Sequence, residues 1–412
     1  METIVESMKT PVRCTKPDVV VVGGGVAGIA ASIASARNGV STLMVERYGF
    51  PGGIATAGLM NSMNGFRNQR TPNHVQTVRG IAAEIIQELQ NLGGCWLSTH
   101  YPQDAFNVAA GELPYAVGFD PELLKYVVLK LLVKANVDLL FHTYAVRSIV
   151  EDNRVTGIIV ENKGGRMAIR GTIIVDASGD GDVAFSAGTP YMQAPADAPS
   201  TMGASLMMRL TNVPAHWDRG VPAGGNSVVV WGPRTQVDGT NPEALSQAEV
   251  QLRLAAIEFV NDLRTQEGFE HVHLLETAMH LGVRETRRFR GEYVLAQEDA
   301  ENDVRFEDVI AISSNPVPRF YGKRYFYSHL GFDIPYRCLV PKNVKGLLLA
   351  GRNISMEQAP WQSARSMAPN MAASQAAGTA AALCARDGIE PRDINIQQLQ
   401  NTLRRQGAII ER

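Results

Sequence analysis

Thirty residues near the N-terminus constrain this chain more than any other stretch: DVVVVGGGVAGIAASIASARNGVSTLMVER, Asp18 to Arg47. The valine-rich run at its start has the composition of a parallel strand buried on both faces. Gly23, Gly25 and Gly28 follow in G-x-G-x-x-G spacing, with Val26 and Ala27 between the last two. An alanine-rich helix is predicted over Ala27–Asn38, stopped by Gly39. A second strand over Ser41–Val45 ends in Glu46, 18 residues after Gly28.

Each part has a physical role. Gly23 permits a tight strand-to-helix turn, Gly25 lets a diphosphate approach the backbone, and Gly28 lets helix and strand pack closely. The helix N-terminus offers free N–H groups and the positive end of a dipole. Glu46 can accept hydrogen bonds from ribose hydroxyls. A glycine-rich turn without a ligand is the bland alternative, but strand, glycines, helix, strand and acid in this order favour a dinucleotide site.

Charge is nearly balanced, with a formal net charge of -2, and nothing points to nucleic acid or an anionic membrane as partner. Aromatic residues are too sparse for a base-stacking platform. Cys14, Cys95, Cys338 and Cys384 lie far apart with no C-x-x-C, so free thiols in a reducing compartment are expected rather than a local redox pair, zinc knuckle or iron–sulfur run. The first 17 residues lack the apolar core of a secretory signal, and no run is long enough to span a membrane. A cytoplasmic protein is the expectation.

Beyond Arg47 the loop RYGFPGGIATAGLM is irregular, and its Gly and Ala residues leave space for a ligand. Amphipathic spacing predicts a helix over 79–92. Residues 95–118 read as irregular. A helix over Asp120–Ala135 has Asp120 as N-cap and Pro121 at the first position. Four strands follow, Asp138–His142, Ala145–Glu151, Arg154–Glu161 and Arg166–Arg170, read as an inserted β-meander. Thr172–Asp176 is a further parallel strand. A helix is expected over Ala248–Gln266, a strand over Gly282–Leu295, a strand over Gly346–Ala350 and a helix over about 370–386.

Two later motifs repeat the strand-then-small-residue pattern. IIVDASGDGDVAF carries Ala177, Ser178 and Asp180 after a buried strand, and Asp180 can bond a ribose or ribityl hydroxyl. An Asp-Gly turn with a helix cap is its alternative. GLLLAGRNIS carries Gly351 and Arg352, and the helix that follows has Pro369 near its first turn. That helix N-terminus can face the pyrimidine edge of a flavin, which gains negative charge on reduction.

This ordered set resembles the FAD-dependent oxidoreductases of the glutathione-reductase-like superfamily, and within it the subgroup related to the heterodisulfide reductase flavoprotein subunit. GGGVAGIAASIASARNG…VER, PGGIATAG, DASGDGDVAFSAG, GVRETRRFRGEYVL, DIPYRCLVP and GLLLAGRNIS with SMAPNMAASQAAGTAAA carry the resemblance along nearly the whole chain. It implies bound FAD. By this resemblance Gly23, Gly25, Val26, Ala27 and Gly28 hold the diphosphate, Glu46 the adenosine ribose and Arg47 the adenine side. The loop Gly52, Gly53, Ile54, Ala55, Thr56 lies along the flavin, and Val146 touches adenine through its backbone. Ala177, Ser178, Asp180, Gly351 and Arg352 sit near the ribityl and phosphate groups, and Asn370 and Met371 near the isoalloxazine.

The implied fold is α/β: a Rossmann-type FAD-binding domain (18–186 and 332–390) with an inserted β-meander, a second α+β substrate domain (187–331) and a C-terminal tail (391–412). A single G-x-G-x-x-G argues against a built-in NAD(P)H domain of the disulfide-reductase kind. On the substrate side, Arg284, Arg287 and Arg288 suit a carboxylate or phosphate, although ion pairs with Glu285 and Glu292 explain them equally well. On a strand, Arg284, Arg288 and Arg290 would share a face opposite Arg287. His329 is a candidate general base chosen by position, and Arg365 a candidate substrate anchor above the ring. His271 and His273 have no matching third ligand, so no metal site is expected. The expected activity is hydride transfer between a small-molecule substrate and flavin N5, as an oxidase or dehydrogenase passing electrons to oxygen or NAD(P). The alternatives are a flavin monooxygenase using NAD(P)H and oxygen, and a non-catalytic electron-transfer subunit. A tRNA-modifying role is disfavoured by the lack of basic charge.

Overall fold

The computed structural model describes residues 10–13, 15–68, 75–97, 113–198, 201–316 and 331–411. Strand β1 (Val19–Val22) runs into helix α1 (Val26–Arg37) and β2 (Thr42–Val45). Then come β3 (Ser62–Asn64), α2 (Ile81–Asn91), β4 (Cys95–Leu97), β5 (Ala116–Phe119), α3 (Pro121–Lys134) and β6 (Asp138–Leu140). Strands β7 (Tyr144–Glu151), β8 (Arg154–Asn162) and β9 (Gly165–Arg170) lead to β10 (Ile173–Asp176) and the short α4 (Asp182–Ser186). The middle of the chain forms β11 (Tyr191–Met192), β12 (Ala204–Thr211), β13 (Val221–Pro222), β14 (Ser227–Thr235), α5 (Pro242–Arg264), β15 (His273–Thr277) and β16 (Arg288–Phe289). The chain closes with α6 (Gln297–Glu301), β17 (Val309–Ser313), β18 (Phe332–Pro335), β19 (Leu347–Leu349), α7 (Gln358–Ala364), α8 (Met367–Asp387) and α9 (Ile396–Arg405).

The architecture is mixed α/β around a parallel sheet in the order β19-β10-β1-β2-β6. Every residue of β1, β2 and β10 is buried, which explains why they read as continuous apolar runs instead of alternating ones. Helix α1 packs on α8, and α8 packs on β10. Alanines 27, 30, 31 and 34 of α1 and alanines 373, 376, 377 and 380 of α8 are all buried. They let the two helix backbones approach closely. Helix α3 starts as its sequence predicts: the Asp120 carboxylate accepts from the backbone N–H groups of Glu122 and Leu123, with Pro121 at the first position.

A three-stranded antiparallel sheet, β7-β8-β9, lies between β6 and β10 in the chain. A second, antiparallel sheet, β13-β14-β12-β15, packs against α5 and has its own apolar cluster, including Leu206, Met208, Leu252 and Val260. No helix among the described residues is long and apolar enough to cross a membrane.

Four sequence expectations are corrected. Asp138–His142 is not part of the meander: β6 pairs in parallel with β2 (Leu43↔Asp138). A strand returning from α3 after β2 completes a crossover unit, and its three residues are too few for periodicity to reveal their partner. Residues 95–118 are not wholly irregular, because β4 and β5 pair with each other and β5 with β3. These are long-range pairings of very short strands. The helix expected from Ala248 starts at Pro242, behind an Asn241 side chain that accepts from the Ala244 N–H. The Asn-Pro start signal was present and missed.

Finally, Gly282–Leu295 is not a continuous strand, since only Arg288–Phe289 forms a strand, with β11, and Gly282, Gly291 and Leu295 make isolated bridges to three different segments. Arg288 is buried and Arg290 exposed, so they do not share a face. Of the two acids named as partners, Glu285 holds Arg288 at 2.8 Å, whereas Glu292 pairs with Arg392.

Candidate cofactor-binding site

The three motif glycines differ in what surrounds them. Gly23 sits at φ +101°, and a Cβ there would come within 2.4 Å of the Ala177 carbonyl oxygen. A Cβ on Gly28 would lie 1.7 Å from the Gly23 oxygen. A Cβ on Gly25 would meet nothing within 4 Å. Two of the glycines are thus demanded by the fold, and the third faces open space at the start of α1. No side chain caps that helix, and its first turn carries no acid. An uncapped helix N-terminus behind an open glycine fits the diphosphate of a dinucleotide.

The loop after β2 folds back over this turn. The Gly52 N–H donates to the Gly24 oxygen at 2.7 Å, and a Cβ on Gly53 would come within 2.9 Å of the Gly25 Cα. Ile54, Ala55 and Thr56 continue from it, with Ala55 and Thr56 buried. The buried Glu46 carboxylate accepts from the Gly24 N–H at 2.5 Å and the Tyr48 N–H at 2.9 Å. It therefore ties β2 to the glycine turn. Arg47 stacks over Tyr48, 4.8 Å from the ring centroid. Val146 falls at a shift in the β7–β8 register, between the pairs Ala145↔Val160 and Arg147↔Ile159. Such an irregularity leaves the extra residue's backbone out of the ladder.

A second cluster stands beside α1. A Cβ on Gly351, at φ +101°, would lie 3.3 Å from the Ala27 side chain. Next to it, Arg352 donates to Asp180 at 2.6 Å, and the Thr286 hydroxyl donates to the same carboxylate oxygen at 2.7 Å. Burial pushes the Asp180 carboxyl up, but Arg352 and Thr286 outweigh it and hold it below the ordinary range. Ser178 donates to the fully buried Asp176, which also accepts from the Ala184 N–H and so fixes the turn between β10 and α4. Asp182 is pushed up to about 6 by burial and by the charges of Asp176 and Asp180. At the start of α8, Asn370 and Met371 are buried, and Asn370 Oδ1 has no hydrogen-bond partner among the described residues.

The candidate catalytic residues are dispersed. Arg287 stacks over Phe185 at 4.0 Å and donates to Asp182 at 3.3 Å. Arg365 lies 5.8 Å from the centroid of buried Trp361, and Arg288 lies 5.3 Å from that same centroid. His329 lies outside the described residues, as does Cys14. Cys95, Cys338 and Cys384 are free, and burial pushes the thiols of Cys95 and Cys384 up to about 12.

Sequence reasoning named Arg284 in one segment of this site but missed His280 and the contacts around it. Around residues 279–286 the chain runs alongside the loop after β2 and reaches the Asp180–Arg352 cluster. The Met279 N–H donates to the Ala57 oxygen at 2.8 Å. The His280 ring stacks on Tyr48 with centroids 5.7 Å apart, its Nδ1 lies 2.7 Å from the Leu281 oxygen, and its Nε2 is buried without a partner among the described residues. Gly282 faces the Ile54 side chain, and Thr286 reaches Asp180. The only signal was the alternation of 280, 282, 284 and 286. Burial, followed by the nearby Arg47 charge, lowers the His280 pKa, so the ring is neutral at pH 7.

A family model described as FAD dependent oxidoreductase matches residues 18–225 and 221–403. No curated protein sequence matches the chain. Among solved structures, the chain is similar to a geranylgeranyl bacteriochlorophyll reductase-like protein from Thermoplasma acidophilum. That pair has 16% identity and a TM-score of 0.46, over 94% of this chain and 82% of that one. It is also similar to the flavin-dependent brominase Bmp2, at 14% identity and TM-score 0.47 over 95% and 83%. A third similar structure is the myxobacterial chondrochloren halogenase CndH, at 14% identity and TM-score 0.48 over 95% and 79%.

Proposed function

The chain belongs to the FAD-dependent oxidoreductase family, and from that premise we propose that it moves a hydride between a small-molecule substrate and the flavin, as an oxidase or dehydrogenase. The observation that carries the placement of the cofactor is Gly25, whose missing side chain opens onto space before an uncapped helix. The flavin when bound supplies the hydride-exchanging atom, and the protein supplies orientation and electrostatics. The resemblance to glutathione-reductase-like flavoproteins and the heterodisulfide reductase subgroup belongs to this reading. So does the division into an FAD-binding unit (18–186, 332–390), a substrate unit (187–331) and a C-terminal segment (391–412). The two separate apolar clusters support two units, although Phe289, Leu295, Ala300 and Ile310 join the first cluster and Leu59 the second.

In this reading Val26, Ala27 and Gly28 offer backbone N–H groups to the diphosphate. Glu46, whose oxygens keep free lone pairs beyond the two bonds they accept, takes the adenosine ribose. Arg47 and the unladdered backbone at Val146 take the adenine side. Ala177, Ser178, Asp180, Gly351 and Arg352 border the ribityl and phosphate groups. Asn370 Oδ1 is an acceptor awaiting a ring N–H, and Met371 packs beneath. Arg365 faces the substrate, and Arg287 steadies the Asp180–Asp182 turn. Oxygen or NAD(P) accepts the electrons.

The test is the absorbance spectrum of purified protein, followed by heat release of the cofactor. A flavin spectrum with FAD in the supernatant is expected, and bleaching under a panel of alcohols, amines and saturated acids then finds the donor. A colourless protein that cannot be reconstituted with FAD would sink the reading.

A pH dependence follows from Asp182. Its raised pKa means that the folded chain binds a proton the unfolded chain releases between about 4 and 6. Its contribution to stability is therefore lost as pH rises through that window. Protonation also removes a negative charge near the phosphates. FAD should bind about threefold more tightly at pH 5 than at pH 7, a size suited to a half-exposed charge. In Asp182→Asn that component disappears. Fluorescence titration of the apoprotein at both pH values measures it, and an unchanged pH profile in the variant would refute it.

A further inference from the structure

We propose that Arg284, supported by Arg234, binds an oxyanion group of the substrate, a carboxylate or a phosphate ester, beside the loop Gly52–Thr56. This rests on the reading that the loop lies along the flavin. In sequence Arg284 lies between two landmarks of the site: Gly282 faces the Ile54 Cδ1, and Thr286 bonds Asp180. Ser205 Oγ, which accepts from Arg284, lies 3.9 Å from the Cβ position of Gly282, and Ile54 Cδ1 lies 3.4 Å from it. Ser205 and Gly282 thus link the guanidinium to the Ile54 side chain of the loop.

Its bonding is unusual for its surroundings. Nη1 donates to the Gly203 oxygen at 2.6 Å and Nη2 to Ser205 Oγ at 2.8 Å. Both acceptors are neutral. The neighbouring arginines of the segment are treated differently. Arg288 has Glu285, Arg287 has Asp182, and Arg352, which meets the segment at Thr286, has Asp180. Among the described residues Arg284 makes no ion pair, although it is half-buried. The nearest charge acting on it is another cation. Ser205 pairs across the sheet with Arg234, and burial followed by Arg234 pulls the Arg284 pKa down to about 10.

A half-buried cation with only neutral acceptors and a second cation acting on it is stabilised by an anion that joins it. Two of the five guanidinium N–H groups are used. The rest form a donor set suited to a planar or tetrahedral oxyanion.

The probes are benzoate and phenyl phosphate, titrated into the FAD-loaded protein and followed by the visible flavin band. The melting temperature of the FAD-free protein is followed in parallel. At least one anion should give a saturable spectral change. Its Kd should rise at least tenfold in Arg284→Gln and a few-fold in Arg234→Gln, and stay put in Arg290→Gln. Benzoate alone identifies a carboxylate site, and phenyl phosphate alone a phosphate ester site. No saturable response to either anion overturns the proposal, as does an Arg284→Gln protein that binds them like wild type. Should Arg284→Gln not fold, Arg284→Lys together with Arg234→Gln decides, and unchanged affinity in both is equally fatal. A chain that takes up no FAD but is stabilised by the anions through Arg284 separates the two readings, leaving the anion site standing and the flavin placement wrong.

Discussion

Gly25→Ala should give a protein that melts within about 1 °C of the wild-type apoprotein yet binds FAD at least a hundredfold more weakly, a loss of about 2.7 kcal/mol. The two halves of this expectation come from different observations. Gly25 has φ −68° and ψ 179°, a conformation any residue adopts, and its Cβ position is clear of protein atoms to 4 Å. The fold therefore has no objection to alanine there. The diphosphate does, because a methyl group would stand between it and the N–H groups of the first turn.

Gly28→Ala is the contrasting case. Its Cβ would lie 1.7 Å from the Gly23 oxygen, so the turn itself must open. That change should cost the apoprotein about 3 kcal/mol, the upper range for overpacking. Urea unfolding of both apoproteins and FAD titration of whichever variants fold would separate the roles. If Gly25→Ala kept wild-type affinity, the diphosphate would not lie at this helix.

How much of this was readable beforehand depended on range. The glycine turn, β1, α1, β2 and the Asp120–Pro121 start of α3 were legible because each is specified within a few neighbouring residues. The partner of β6 was not, since three residues carry no periodicity and their pairing with β2 is set by the packing of α3. The four arginines after Gly282 were seen, but their sorting was not. Which of them meets Glu285, Asp182 or a neutral oxygen depends on chain segments about 80 to 105 positions away for Arg284 and Arg287. His280 and Trp361 were invisible for the same reason: the contacts of His280 with Tyr48 and those of Trp361 with Arg288 are made only in the folded chain. In the proposed placement the cofactor side is a local motif, whereas the substrate side is assembled from distant pieces.

Gly378 carries a second large stability effect, through helix packing instead of a turn. It lies midway along α8, and a Cβ there would fall 2.0 Å from the Ala31 oxygen of α1. The two helices therefore touch backbone to backbone. Alanine gains about 1 kcal/mol of helix propensity over glycine, but it forces apart two helices whose surroundings are fully buried. Gly378→Ala should lose about 1–2 kcal/mol net, and Gly378→Leu at least about 3 kcal/mol, because overpacking grows with volume.

The same displacement reaches the site. In the proposed placement the N-terminus of α1 meets the diphosphate and that of α8 meets the flavin ring, so their separation sets the span the cofactor must bridge. FAD affinity should fall in the same order as stability: wild type, then Gly378→Ala, then Gly378→Leu. Urea midpoints and FAD titrations on the same three proteins would show it. A Gly378→Ala protein more stable than wild type would mean that the helices are not in backbone contact. A loss of stability with unchanged FAD affinity would mean that the two helix ends do not share one ligand.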